Sequence, residues 1–448
     1  MHKKLIIISF CSILFLTTAA SSITIVESEL DHQIQANTEE LIDSGWVEEY
    51  EDVTILHLNG SYYDMGYQHG VFAKEKILAN FRMIQNFFDQ NGYPKEHILE
   101  IWNFMKKHLP QQYIDEMQGM ADALDVSFEQ VAAFNMYTAL FNHIFCTGGA
   151  LWDSASIDGE LYHLRSLDWA GGFKLKDKET NLYLWDTQLV IIRKPTNGYA
   201  SLVPDFAGTI CCWGGINEQG ISISETTCLT YDTTFNGISA AFRMRMVLDN
   251  ADSAEKAINI MNSNRTCGWT FIISDGKIPK GYVVEQTANF VYIGNWFDPV
   301  ESIKPFWSIE NVVRRSPMFI SPTCSNTQKN RPLYNPSGIR GLLLYVVGKN
   351  PYFLKWTMYK ALSNELEIQH GTLDMNKTMD LLRNVYLGKT NIMFSIFQKM
   401  GAQKAFHQWV ACPKTGEIVV SFADKNGTAS ENQVHHFNLF TLINASQN

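Results

Sequence analysis

A thiol attacks a carbonyl carbon once some base has taken its proton, so the cysteines and the groups that could serve them are the first residues to weigh. The chain carries Cys11, Cys146, Cys211, Cys212, Cys228, Cys267, Cys324 and Cys412. None lies in the local patterns around a papain-like or caspase-like nucleophile, whose base is a histidine. Another arrangement needs no histidine. A cysteine made N-terminal by an upstream cut has its own α-amine, with a pKa of about 7.7–8.0, as acceptor for the thiol proton. Cys146 is the candidate, with the cut expected between Phe145 and Cys146. Its competing reading is a buried structural thiol, the commonest fate of a free cysteine. Arg165 and Asp168 end a strand-like run, where a bend between them is expected to turn both toward the cysteine. The alternative for this couple is a surface ion pair.

The run from Cys146 to Trp169, CTGGALWDSASIDGELYHLRSLDW, resembles the nucleophile segment of N-terminal-nucleophile hydrolases, in the peptidase family C45 and acid-ceramidase-like branch. The likeness rests on Cys146-Thr147, the Asp158-Gly159 turn and Arg165-Ser-Leu-Asp168-Trp169, in that order. LNGSYYDMGYQHG (58–70) and GGINEQGISISET (214–226) resemble two further signatures of the branch. Several matches in order are more specific than any one alone. The resemblance implies an α+β fold, a four-layer αββα sandwich, in which self-cleavage leaves a helical α-chain (21–145) associated with a catalytic β-chain (146–448). It also implies that Asp168 holds the freed amine, that Arg165 lowers the thiol pKa and orients the carbonyl, and that Asn217 donates to the oxyanion. Such a contact is worth on the order of 3 kcal/mol. Asn217 also reads as a plain hairpin residue. The implied reaction is hydrolysis of an N-acyl amide, ceramide-like or another N-acyl lipid, through a thioester and without a cofactor. Passing the acyl group to an amine, or binding without catalysis, are the alternatives.

One part of the pattern breaks. The branch places a second asparagine in a downstream segment whose counterpart is NVVRRSPMFISP (311–322), and Ser316-Pro317 stands at the expected position. Proline has neither side-chain amide nor N–H. Either Asn311 or Asn289 takes the role, or the site has one donor fewer, or it is impaired. Arg340, in a Ser-x-x-Arg context, is a further candidate whose other reading is a solvated arginine at a helix end.

These groups need elements to place them. Up to residue 145 the pattern is one strand, Val53–Leu58, followed by helices: one through Phe88, one over 97–109, one over 111–124, and one opened by the Ser127 capping box and running to Phe141. After Cys146, alternating β-branched and aromatic runs (161–167, 181–194, 200–206, 208–216, 220–226 and 269–275) read as strands. A helix is expected over 242–262, a pair of helices within 339–386, and last strands over 406–423 and 434–442. Strands clustered between helices favour a layered sandwich over alternating βαβ units.

Lys3 and Lys4, the apolar stretch Leu5–Leu16 and the small residues around Ala20 read as a leader (1–20) removed after Ala20, too short for the roughly 20 residues that cross a bilayer. A secreted or lysosomal chain without a later membrane span is expected. Sequons at Asn59, Asn264, Asn376, Asn426 and Asn444 agree with that route. Loss of Cys11 would leave an odd number of cysteines, which fits Cys146 free and pairs among the others. With 46 acidic against 36 basic residues the surface is expected to repel nucleic acid. His435-His436 lacks further ligands at metal spacing, so no metal is expected.

Overall fold

The computed structural model describes Ile42, residues 44–137, Leu140, and residues 145–329, 337–399 and 404–446. The expected leader lies outside the described residues. The chain begins with a hairpin, β1 (Trp46–Tyr50) and β2 (Val53–Gly60), and continues through five helices: α1 (Tyr62–Phe72), α2 (Lys74–Gln90), α3 (Lys95–Met105), α4 (Gln111–Leu124) and α5 (Phe128–Met136). Then come β3 (Phe145–Asp153), β4 (Gly159–Asp168), β5 (Gln188–Pro195), β6 (Ser201–Phe206), β7 (Gly214–Asn217) and β8 (Ile221–Thr227). Helices α6 (Ala240–Asn250) and α7 (Ala254–Asn262) lead to β9 (Trp269–Asp275), β10 (Lys280–Gln286), β11 (Val291–Gly294) and β12 (Val312–Arg315). A third helical group, α8 (Gly338–Val346), α9 (Tyr352–Ile368), α10 (Met375–Tyr386) and α11 (Ile392–Lys399), precedes β13 (Ala405–Cys412), β14 (Glu417–Phe422) and β15 (His435–Asn438).

The strands form two sheets, one of nine in the order β1-β2-β5-β6-β7-β8-β9-β10-β11 and one of six in the order β12-β3-β4-β13-β14-β15. Period-two alternation gives each sheet two apolar faces to cover. Ile221, Ile223, Phe271 and Ile273 of the larger sheet pack with Met244, Val247 and Met261 of α6 and α7 and with the early helices. Leu151, Leu164, Val410 and Val419 of the smaller sheet pack with Met358 and Leu362 of α9, Leu382 of α10 and Phe394 of α11. The remaining faces meet each other through Val190, Leu202 and Trp409 at one end and Ala150, Ile272 and Val313 at the other. Helix, sheet, sheet, helix is the expected αββα order.

Several local expectations are corrected. One strand was expected before residue 145, over Val53–Leu58, and there are two: β1 precedes it, and both join the larger sheet, with β2 parallel to β5. Over 208–216 only Gly214–Asn217 is strand. The expected helix over 242–262 is two, since the helical run stops at Asn250 and Ser253 caps a second one through the Lys256 N–H. The run over 434–442 is a four-residue strand and a helical turn that Asn438 caps. Paired cysteines were expected, yet all seven from Cys146 onward are free thiols.

Candidate active site

Cys146 sits at the start of β3, fully buried, beside β4 in a register that sets Cys146 against Leu167 and Phe145 against Asp168. Strand alternation then decides which groups meet the thiol. His163, Arg165 and Leu167 of β4 face the larger sheet, as the bonds from His163 to Ser224 and Ser274 show. Ser166 and Asp168 face the opposite side, toward α10. The strand stays regular to its end, so the expected bend is absent. Arg165 reaches the thiol from the inner side, and Asp168 stands at the strand end on the outer side, opposite Phe145.

Arg165 Nη2 donates to Cys146 Sγ at 3.8 Å and to Glu225 Oε1 at 2.5 Å, and the thiol itself donates to Glu225 Oε1 at 3.5 Å. Arg165 Nη1 donates to His407 Nε2 at 2.9 Å, while Arg165 Nε has no partner. Glu225 was missed from sequence, because in ISISETT it alternates with the serines and belongs to the side away from the smaller sheet. It reaches the site because β7 begins only at Gly214, opposite Ser224, so Glu225 has no register partner in β7; a Cβ on Gly214 would crowd Arg165 Cδ, 3.3 Å away.

Burial sets the protonation states. It pushes the Cys146 thiol well above its ordinary range; the Glu225 carboxylate adds to this and the Arg165 guanidinium opposes it. Burial raises Glu225 as well, against the pull of Arg165. His407 is driven well below 6.5 by burial and by the Arg165 charge, so it stays neutral and is no base for the thiol. Asp168 is pushed up to about 7 by burial, against hydrogen bonds from Ser166 and Tyr386.

Other expected members lie elsewhere. Asn217 gives both amide hydrogens to the Leu248 and Ala251 carbonyls, and its oxygen accepts from the Gln219 and Ile221 N–H groups. A buried amide so engaged has nothing left for an oxyanion; it holds the β7–β8 turn against α6. Asn289 is exposed and bonded to Asp232, and Asn311 bonds Ser154 at the far end of β3. Neither replaces the missing asparagine. Arg315 is registered opposite Gly148, so the chain leaving β12 carries Ser316 and Pro317 toward Thr147 and Cys146. Arg340 is exposed on α8. Four sequon asparagines, Asn264, Asn376, Asn426 and Asn444, are exposed, and Asn59 is half-buried where β2 pairs with β5.

An apolar cavity of about 50 Å³ reaches Leu167, lined by Ile84, Phe134 and Tyr137 from before residue 146 and by Leu167, Trp169 and Trp213 from after it. Leu167 is the register partner of Cys146, so the cavity begins beside the thiol. The one candidate metal cluster among the described residues is Glu51, Asp52 and His435. It brings to His435 two carboxylates that the local sequence around His435-His436 does not contain. Both ring nitrogens already face carboxylates, Nδ1 toward Glu51 at 2.8 Å and Nε2 toward Asp52 at 3.1 Å, which describes an ion-pair strut.

Residues 180–292 match the family model of acyl-coenzyme A:6-aminopenicillanic acid acyl-transferase, a span that holds Glu225 and Asn217 and stops short of Cys146, Arg165 and Asp168. Protein dcd1B of Dictyostelium discoideum is 24% identical over 279 residues, which cover 56% of this chain and 54% of that protein. The chain thus spans about half the length of the curated relatives it matches. Among solved structures, a variant of the conjugated bile acid hydrolase from Clostridium perfringens is 17% identical and covers 67% of this chain and 95% of its own, with a TM-score of 0.38. Penicillin V acylase from Agrobacterium tumefaciens is 14% identical, covers 66% and 87%, and has a TM-score of 0.38. The stretch that resembles the acyl-coenzyme A:6-aminopenicillanic acid acyl-transferase family, residues 180–292, runs from β5 to β11 and so lies over the larger sheet of the αββα fold.

Proposed function

We propose that this chain is a self-processing cysteine amidohydrolase that cleaves N-acyl amides through a thioester. One observation carries the reading: a fully buried thiol at the head of β3 lies 3.5 Å from a carboxylate and 3.8 Å from a guanidinium, beside an apolar cavity. In the uncut chain no α-amine exists at residue 146, so Glu225, the carboxylate bonded to the thiol among the described residues, takes its proton. The sulfur adds to the Phe145 carbonyl, the peptide nitrogen leaves as the amine of Cys146, and water hydrolyses the resulting thioester. The free amine then serves as base for an external amide. Arg165, with an unused buried N–H, is the donor for the carbonyl oxygen, which offsets the absence of the two asparagines. The apolar cavity suits an acyl chain, ceramide-like or of another N-acyl lipid. Removal of a leader after Ala20 and a secreted or lysosomal location belong to the same proposal.

The matched family model is named for an acyl-transferase, which keeps transfer to an amine as the second reading. Product analysis with a competing amine separates it from hydrolysis.

The test is intact-mass and N-terminal analysis of the purified protein. A chain starting Cys-Thr-Gly-Gly is expected, and Cys146→Ala is expected to leave the chain uncut and inert toward an N-acyl amide. Turnover by Cys146→Ala sinks the proposal.

A further inference from the structure

Asp168 is held by a group that comes from a different layer of the fold. The Tyr386 hydroxyl, at the C-terminal end of α10, donates to Asp168 Oδ2 at 2.5 Å and lies 2.9 Å from Thr147 Oγ1, next to the nucleophile in sequence. Ser166 Oγ donates to the other oxygen, Oδ1, at 2.6 Å, and is itself held by Gln408 Nε2 at 3.2 Å. Gln408 is fixed in turn by the Ser430 hydroxyl at 3.0 Å. Both carboxylate oxygens are therefore clamped, and the clamp stands opposite Phe145, where cleavage would release the Cys146 amine.

We infer that Tyr386 is a positioning residue of this site, holding the Asp168 carboxyl group in the orientation in which it meets the amine of Cys146. The inference rests on the proposed self-processing reaction for its role, but not for its geometry. A carboxylate without water is unstable unless hydrogen-bond donors replace the lost hydration. Tyr386, Asp168, Thr147 and Ser166 are all buried. A phenol that donates to a carboxylate favours its charged form, which is the direction in which Tyr386 acts on Asp168. The reverse effect appears on Tyr386, whose hydroxyl is raised well above 10 by burial and by the Asp168 charge, so it remains a donor.

The groups that face Asp168 from each neighbouring element define what else could set its charge. They are Cys146 and Thr147 from β3, Arg165 and Ser166 from β4, Gln408 from β13, Tyr386 from α10, Met358 from α9 (through Thr147, 3.1 Å from Oγ1 to Sδ) and Glu225 from β8. Arg165 is the one cation in the set, and it is already paired with Glu225. Loss of the phenol hydroxyl is therefore not made good by a neighbour.

Tyr386→Phe keeps the ring and removes the donor. The charged form of Asp168 then loses a partner, so its titration moves to higher pH, and activity that needs the carboxylate falls off earlier on acidification. The experiment is the pH profile of kcat/KM for hydrolysis of a fluorogenic N-dodecanoyl amide by the wild type, Tyr386→Phe and Ser166→Ala. An upward move of the acid limb by about one pH unit, a tenfold effect at a pH below both limbs, is expected for Tyr386→Phe. The alkaline limb is expected to stay in place. Ser166→Ala removes the other donor and is expected to move the same limb in the same direction. Infrared difference spectra between each protein and its Asp168→Asn counterpart read the Asp168 titration whether or not the chain turns over, which keeps a failure of the reaction distinct from a failure of the clamp. An Asp168 midpoint unchanged by Tyr386→Phe overturns the inference, as does a uniform loss at every pH together with a lower melting temperature.

Discussion

Asn217 and Glu225 show how far a residue type identifies its task. Asn217 lies in a segment resembling an active-site signature, yet its amide is consumed by four backbone groups. Asn217→Ala leaves those buried groups unpaired, and a loss of roughly 2–4 kcal/mol in denaturant unfolding is expected. The kcat of the remaining folded protein is expected to change less than about threefold, far from the two to three orders of magnitude that removal of an oxyanion donor costs. A kcat loss of that size at unchanged stability would restore the oxyanion role. Glu225 is the converse case, invisible in ISISETT and yet bonded to the thiol. Glu225→Gln keeps an oxygen for Arg165 but cannot take a proton, so self-cleavage followed on a gel is expected to slow by about 10²–10⁴-fold. Cleavage at the wild-type rate would remove Glu225 from the chemistry. That Cys146 and Arg165 would lie together was legible because they fall in one strand-turn-strand whose spacing is local. The nearness of Glu225 and Tyr386 was not, because the late start of β7 and the docking of α10 on the smaller sheet bring them in from distant segments.

At the scale of elements, signals carried by a residue and its near neighbours were readable. The N-cap of α5 is Ser127, bonded to the Gln130 N–H, and α4 runs over the expected residues from Gln111 to Leu124. What was not readable depends on pairing across the chain. Trp46–Tyr50 alternates too weakly to declare a strand, and becomes one by pairing with β2, which itself lies parallel to β5. The same pairing bears on what happens after a cut at residue 146. Glu116 Oε1 of α4 meets Arg245 Nη1 of α6 at 3.2 Å and Arg193 Nε of β5 at 3.7 Å, all fully buried. Tyr62 and Tyr113 both donate to Asp249 at 3.0 Å. These contacts join the segments before and after Cys146, so two cut fragments are expected to co-elute in size-exclusion chromatography. Glu116→Ala takes the ion pair from buried Arg193 and one of the two carboxylates from Arg245, which keeps Asp249, and a loss of about 3–5 kcal/mol is expected. Helices α1 and α4 cross with their backbones nearly in contact, since a Cβ on Gly66 would collide with the Glu116 carbonyl and one on Gly119 with the Tyr63 carbonyl. Separate elution of the fragments under native conditions would contradict this account of how the halves hold together.

For the molecule as a whole, composition suggested an acidic protein with a large core, but the charges that matter for stability are the buried ones. Burial lowers His57, His69, His163 and His407, with His69 and His163 down to about 3. Burial raises Glu116, Asp168, Asp205 and Glu225, with both aspartates up to about 7. The two sets act in opposite directions. Below its ordinary pKa of about 6.5 each such histidine binds a proton in the unfolded chain and not in the folded one, so it makes stability rise with pH. Above an ordinary carboxyl pKa of about 4 each raised acid keeps a proton in the folded chain and not in the unfolded one, so it makes stability fall with pH. Between about pH 4.5 and 6.5 the two sets overlap, His69 and His163 acting against Asp168 and Asp205, with the other buried groups adding in the same two directions. Asp177, Asp232, Glu301 and Asp424 are lowered, so their contributions are lost only below that window. Asp205→Asn removes one raised acid while preserving an oxygen for the Phe206 N–H. In urea titrations its unfolding free energy is expected to rise with pH more steeply than that of the wild type, by about 1.4 kcal/mol per pH unit through the window. Equal slopes in the two proteins would show that Asp205 does not titrate as its surroundings dictate.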